Sequence, residues 1–403
     1  MIIYVNISDE ILEWLCGQSA SFPEDVCEKL QAWRSGKKKP TFSQIEEMSK
    51  KTGIPLGYFF LTHPPAENRK LLNFRTINSL ELKNPGRNLL NTIHLMEMVQ
   101  EWLRDRLIYE DAPQVSFVGS FRNVSYSDIY DFAASVRKIL GIADDWFRKC
   151  RSSDDSFRTI RNAMSNAGVF VMMNGKYGNN TKRPFDIEEF RAFALTDDYA
   201  PLIFINSRDS SNGRLFSLLH EFAHICIGES SLYNDRWERN SKVTKTETIC
   251  NALAAEILVP KDLFLKEWLS GSGQMSDLVT ENDPENAAIS QKIDETAKKF
   301  RSSSSVIARR SLDEGFISRS LYEKIIQDAA DAYRSSQEKP SGVRNYYTNL
   351  KSYNDRRFLK MLSESVSEGT TSYTDAFHLT NTNRHTFGNL IRESHKSLES
   401  DRQ

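Results

Sequence analysis

Apolar residues recur at helical spacing along most of the chain. Between 85 and 110, Leu89, Leu90, Ile93, Leu95, Met96, Val99, Trp102, Leu103 and Leu107 keep to one side of a 3.6-residue period, which predicts a long amphipathic helix. Further helices are expected near 127–149, over 213–227 and over 245–258. The first 62 residues predict short helices broken by turns. Ser8-Asp9-Glu10 suits a helix start, and Pro23-Glu24-Asp25 opens a second helix that runs to Trp33 and closes at Ser35-Gly36. Thr41 caps a third, Gly53 stops it, and Pro64-Pro65 ends the unit. Three short apolar runs have strand character: 168–173, 190–195, and Leu202-Ile203-Phe204-Ile205 behind Pro201. The stretch 270–289 is expected to be an acidic loop. Beyond 290, short helices alternate with turns, with a linker over Ser335–Gly342. The pattern predicts an α+β chain, mostly helical, with one small sheet in its central part.

One predicted helix departs from amphipathic habit. From Asn212, a candidate cap, to Gly228, a candidate stop, the segment 213–227 is apolar nearly all round, which implies burial. A single stripe breaks it, because Ser217, His220, Glu221 and His224 fall at i, i+3, i+4 and i+7. Three ionisable groups inside an apolar helix cost several kcal/mol if left unpaired. A divalent metal compensates them: two imidazoles one turn apart can point at one ion, with the intervening Glu beside it as a general base.

A catalytic zinc takes a third protein ligand. The remaining histidines (63, 94, 378, 385 and 395) lie far off in sequence, and no third His follows at metzincin spacing. The segment 245–258 is the best supplier, since its face of Glu247, Cys250, Asn251 and Ala254 is small or polar and permits close helix approach. Glu247 is the favoured third ligand, although Thr244-x-x-Glu247 also fits a capping box in which Glu serves the backbone. Glu256 competes for the role, and Cys250 is a weaker alternative.

Composition narrows the class. Hydrophobic residues at 39% and charged residues at 27% of 403 fit a soluble globular chain of two or three domains. The net charge of −1 leaves no overall bias toward polyanions, so any nucleic-acid surface must be a local patch. No apolar run approaches the ~18 residues of a membrane span. Five scattered cysteines (16, 27, 150, 226 and 250) argue against a disulfide framework. With an N-terminus that lacks the marks of a signal peptide, they predict a cytoplasmic protein.

The motif Arg214-x-Phe216-x-Leu218-x-His220-Glu221-x-x-His224, followed by Glu247-x-x-Cys250-Asn251-x-x-Ala254-Ala255-Glu256-x-Leu258-Val259-Pro260, resembles the ImmA/IrrE-type metallopeptidases, which are gluzincin-like. Phe190–Ala194 and Ala200–Asn206 are similar to the same family, so the resemblance covers roughly residues 165–265. It implies a Zn2+ cofactor, His220, His224 and Glu247 as its ligands, and Glu221 as the catalytic base. It also marks Cys250, where the family usually has Ala, as a packing residue. At the N-terminus, Leu30–Glu46, then Ile54–Leu61 and Pro64-Pro65, resemble an Xre-type helix-turn-helix region. The span between Trp14 and Trp33 is short for a full scanning helix plus recognition helix. Residues 1–60 also carry seven basic residues against eight acidic ones. Arg34, Lys37, Lys38 and Lys39 are the candidate DNA contacts, set against a solvated turn on a docking module. Tyr373–Leu390 has a similar helix-turn-helix rhythm.

The expected organisation is an Xre-like region over 1–65, a helical linker domain over 66–160, a metallopeptidase core over 161–270, a helical extension over 271–335 and a C-terminal helical region over 336–403. The resemblance implies a zinc endopeptidase that cleaves a protein, such as a transcriptional regulator or the product of a neighbouring gene. Stress response, mobile elements and toxin–antitoxin systems are the implied settings. The alternative is a DNA-binding or antitoxin-like regulator that uses the peptidase fold as a non-catalytic platform. For the peptidase, the strand at 190–195 or 202–205 is a candidate edge for an extended substrate, and Tyr233 and Arg214 are candidate oxyanion donors. For Arg214, pairing with a nearby carboxylate is the favoured reading.

Overall fold

Capping chemistry sets the helix limits. Thr41 accepts the Gln44 N–H while the Gln44 side chain accepts the Thr41 N–H, and Gly53, at φ 72°, takes the left-handed conformation that ends the helix between them. The computed structural model describes residues 3–17, 22–65, 85–233, 244–270, 283–337 and 346–400. An N-terminal unit of α1 (Asp9–Gly17), α2 (Glu24–Arg34) and α3 (Phe42–Thr52) closes on its own core, with Ile11, Leu15, Val26, Leu30, Ile45 and Phe59 buried. The long helix α4 (Arg87–Tyr109) follows, then α5 (Ile129–Leu140) and α6 (Ser153–Ala167). The expected helix near 127–149 ends early because Gly141 stops α5 at φ 63°.

The central sheet is built from β1 (Phe170–Asn174), β2 (Ala192–Leu195) and β3 (Leu202–Asn206), which lead into α7 (Ser211–Ile227), then β4 (Ser231–Tyr233). The strand order is β1-β3-β2-β4, with β1 and β3 parallel and the other pairings antiparallel. The strands at 190–195 and 202–205 are therefore interior, and neither offers the edge expected for a substrate. Among the described residues the edges are β1 and β4. The chain continues through α8 (Lys245–Leu258), α9 (Lys261–Ser270), α10 (Asp283–Phe300), α11 (Ser304–Asp313) and α12 (Arg319–Gln337). It ends in α13 (Tyr346–Tyr353), α14 (Arg356–Ser367), α15 (Tyr373–Thr380) and α16 (Arg384–Ser400). The expected loop at 270–289 is corrected in its last part. Asp283–Ala288 and Ile289 begin α10, with Pro284 in the first turn, where a missing N–H costs nothing; residues 271–282 lie outside the described set. So does most of the expected linker, since α12 reaches Gln337 and description resumes at 346.

The sheet is buried on both faces, which is why its strands appear in sequence as unbroken apolar runs. Val171, Met173, Ala192, Ala194, Ile203 and Ile205 face the core that contains α7 and α8. Phe170, Met172, Phe193 and Phe204 face the opposite core, shared with α4 and the C-terminal helices α14 to α16. A fully buried Phe of this kind contributes on the order of 2 kcal/mol. No helix among the described residues is long and apolar enough to cross a membrane.

Candidate metal centre

Helix α7 starts two residues earlier than the sequence suggests. Ser210, not Asn212, is the cap, accepting the Gly213 N–H at 3.0 Å. Its other end is set by Gly228, whose N–H returns to the His224 carbonyl at 2.8 Å with φ at 88°. A β-carbon there would lie 2.8 Å from the Gly119 backbone, so both the conformation and the close approach require glycine. Between these limits the polar stripe faces α8. His220 and Glu221 are fully buried, and His224 is 2% exposed.

On α8 the Thr244 hydroxyl accepts the Glu247 N–H at 3.3 Å. The capping expectation is thus met by the backbone of Glu247, which leaves its carboxylate free to turn toward the histidines. Glu247 Oε2 lies 3.1 Å from His220 Nε2, and Oε1 lies 3.2 Å from His224 Nε2. The two imidazole nitrogens are 3.2 Å apart. Donors at tetrahedral positions around an ion, ~2.0–2.1 Å from it, stand about 3.3 Å from one another. The group His220, His224 and Glu247 could therefore hold a metal ion without rearrangement.

Unsatisfied buried atoms point the same way. Glu221 Oε1 and Glu247 Oε2 are buried without a hydrogen bond, and uncompensated polar atoms of this kind are rare in native interiors. The electrostatics also favour added positive charge. Burial acts to raise the Glu247 carboxyl, but the adjacent His220 and His224 overcome it and hold it at about 2. Burial acts to lower His224, and Cys250 and Glu247 override that, raising it well above its ordinary value. A cation is thus stabilised where the lone pairs of the three side chains meet.

Neighbouring residues orient these groups. His220 Nδ1 lies 3.0 Å from Asn251 Oδ1, so Nδ1–H donates there and leaves Nε2 facing Glu247. Ser231, on β4, donates its hydroxyl hydrogen to Glu221 Oε2. Burial pushes the Glu221 carboxyl above its usual range, more than His224, His220 and Ser231 pull it down. The sequence gives no sign of Ser231, since β4 is too short to show a period. Asn251 stands on the small or polar face of α8 noted from sequence, but nothing there marks it as a partner of His220.

The other candidates lie elsewhere. The Glu256 side chain turns away from the histidines: Arg310 Nη2 donates to its Oε2 at 2.7 Å, and the Lys261 N–H to its Oε1 at 3.2 Å. Arg214 Nη2 lies 3.0 Å from Asp154 Oδ1, the carboxylate pairing favoured from sequence. The Tyr233 side chain is outside the described set. Arg34, at the end of α2, lies 3.4 Å from Glu13, while Lys37, Lys38 and Lys39 are exposed on the turn before Pro40.

Residues 166–312 match the IrrE N-terminal-like domain of peptidase family M78. The IrrE-like segment contains the sheet, α7 and α8, and the match supports a metallopeptidase of the IrrE/ImmA type and a protein as its general class of substrate. Residues 354–393 match a domain of unknown function, DUF8813. Neither match reaches residues 1–65. There is no match among curated proteins or solved structures.

Proposed function

We propose that the protein is a zinc-dependent endopeptidase. The observation that carries this reading is the buried convergence of His220, His224 and Glu247 inside the IrrE-like segment. His220 and His224 supply two neutral nitrogen ligands and Glu247 a carboxylate oxygen, a donor set suited to zinc. A zinc ion bound there would supply Lewis acidity toward a peptide carbonyl and acidify a water molecule. Glu221 is the base: its unpaired Oε1 accepts a proton and later returns it to the leaving amine. Ser231 holds the other oxygen, which keeps the carboxylate in one orientation. The raised proton affinity that burial gives Glu221 suits this task near neutral pH.

The substrate strand belongs on β4 rather than on the interior strands. At the opposite edge, the Val171 N–H of β1 donates to Asp355 and the Val171 carbonyl accepts from Arg161, so that edge is closed. β4 pairs with β2 on one side and carries Ser231 against Glu221, so an extended polypeptide added along β4 would pass the base. The substrate we favour is a transcriptional regulator or the product of an adjacent gene. In the competing reading, a DNA-binding regulator keeps the same site as a platform and has no use for Glu221.

Two results are expected from metal measurements. Chelation of the purified protein lowers its melting temperature, and added zinc restores it, because a ligand at 100 times its Kd stabilises by about 2.7 kcal/mol. Zinc content then separates the two acids of α8: Glu247→Gln purifies with much less than one zinc per chain, whereas Glu256→Gln keeps the wild-type amount. Equal zinc in both variants would remove Glu247 from the site. Substrate is tested by incubating the protein with the adjacent-gene product and looking for fragments that a chelator prevents.

A further inference from the structure

The N-terminal unit of α1 to α3 leaves apolar side chains uncovered on one side. The Ile3 carbonyl accepts the Phe42 N–H and the Pro40 carbonyl accepts the Val5 N–H, both at 2.9 Å, so residues 3–5 run antiparallel to residues 40–42. In that pairing Ile3 stands opposite Phe42, on the same face. The Phe42 and Phe60 rings lie 6.2 Å apart, centroid to centroid. Ile3 is 58% exposed, Phe60 47% and Phe42 37%. Single exposed apolar residues are ordinary, but a contiguous group marks a binding face. The edge beside it is also open. The Tyr4 N–H and carbonyl point away from Thr41 and have no partner among the described residues.

The charges of the unit divide by whether they are already paired. Both cations of α2 and Lys51 of α3 are held by its own acids: Lys51 by Asp25 at 2.6 Å and Glu47 at 2.9 Å, Lys29 by Glu47 at 3.3 Å, and Arg34 by Glu13 at 3.4 Å. A helix that reads DNA needs such charges free for phosphates. Lys37, Lys38 and Lys39 instead have no ion pair among the described residues, and they lead directly into the segment that pairs with Ile3. Against them stands one unpaired acid, Glu46, four residues beyond Phe42 on the same helix row. We propose that this face docks an acidic, extended segment of another protein. The backbone of that segment pairs with the free Tyr4 groups, its apolar side chains pack on Ile3, Phe42 and Phe60, and its carboxylates meet the three lysines. DNA would satisfy the lysines alone and leave the rings uncovered. None of these residues belongs to the group His220, His224 and Glu247, so the proposal stands apart from the metal reading.

The probe is a fluorescein-labelled peptide of Glu-Leu-Glu-Thr repeats, titrated with the full chain and followed by anisotropy at low and high salt. A Lys-Leu-Lys-Thr peptide and a random-sequence DNA duplex are run beside it. The variants are Ile3→Ser, Phe60→Ser and the triple change of Lys37, Lys38 and Lys39 to Ser, all at exposed positions, with melting temperatures to check the fold. We expect the acidic peptide to bind wild type, less tightly at high salt, and to bind Ile3→Ser or Phe60→Ser about tenfold more weakly. The lysine variant should lose at least as much, and its residual binding should no longer depend on salt. No binding of the acidic peptide, equal binding of both peptides, or wild-type affinity in Phe60→Ser overturns the proposal. DNA binding that the lysine variant loses and Phe60→Ser keeps overturns it too, by making the turn a phosphate contact. So does a concentration-dependent dimer that Phe60→Ser abolishes, which would make a second copy the occupant.

Discussion

Replacing Glu221 by Gln is expected to lower proteolysis by about 10²- to 10⁴-fold, while zinc content and melting temperature stay close to wild type. The size follows from what Gln removes. It keeps the shape of Glu and can still accept the Ser231 hydroxyl hydrogen through its amide oxygen, so the packing around α7 survives. What it loses is a carboxylate that can take up a proton, and a general base contributes in that range. Stability should change little, because Glu221 is a buried acid whose ionisation burial opposes, and a neutral amide avoids that cost. The measurement is the rate of fragment formation from the adjacent-gene product, with metal analysis of the same preparation. Full biological activity in a folded, zinc-loaded Glu221→Gln protein would transfer the function to the platform reading.

How much of this centre was legible in the residues depended on the range of the interactions. His220, Glu221 and His224 stood out because polar groups interrupt an otherwise apolar helix, a contrast that exists within a single element. Glu247 required a second helix, and its spacing from Thr244 offered two roles that the structure divides between backbone and side chain. The strands were visible as apolar runs for the same reason their order was not. A strand buried on both faces carries no alternation to say which neighbour it pairs with, so β2 and β3 looked as eligible for an edge as β1. Ser231 was invisible because three residues of strand have no pattern and its partner lies across a turn. The cap of α7 fell on Ser210 instead of Asn212 because both residue types cap well, and neither local spacing nor burial chooses between them. Least legible was the C-terminal region, whose helices showed only their own amphipathic rhythm and nothing of the sheet they cover.

That covering depends on one buried acid, and Asp355→Ala is expected to destabilise the full chain by about 2–4 kcal/mol. Asp355 is 2% exposed and does two jobs at once. Its Oδ1 caps α14 by accepting the Arg357 and Phe358 N–H groups, at 2.8 and 3.4 Å, and it also receives the Ser165 hydroxyl. Its Oδ2 accepts the Val171 N–H of β1 at 3.2 Å, across 184 residues of chain. Arg161, half-buried beside it, donates to the carbonyls of Val171, Ser352 and Asn354, so the edge of β1 and the segment leading into α14 share one polar network. Deleting the carboxylate leaves a strand N–H unpaired, uncaps a helix and removes a negative charge that acts on the half-buried Arg161; an exposed cap loss alone costs typically ~1 kcal/mol. Ser372→Ala, which removes such a cap from α15, is the natural comparison. Asp355→Asn retains the capping oxygen and should fall between the two. Urea unfolding of the full-length variants, followed by far-ultraviolet circular dichroism, measures all three. If Asp355→Ala cost no more than Ser372→Ala, the link from β1 to α14 would be ordinary capping and the strand edge would be secured by apolar packing alone. Because Val171 and Met173 on the same strand line the core beneath α7, a large loss would also tie the integrity of the histidine helix to the docking of residues 354–393.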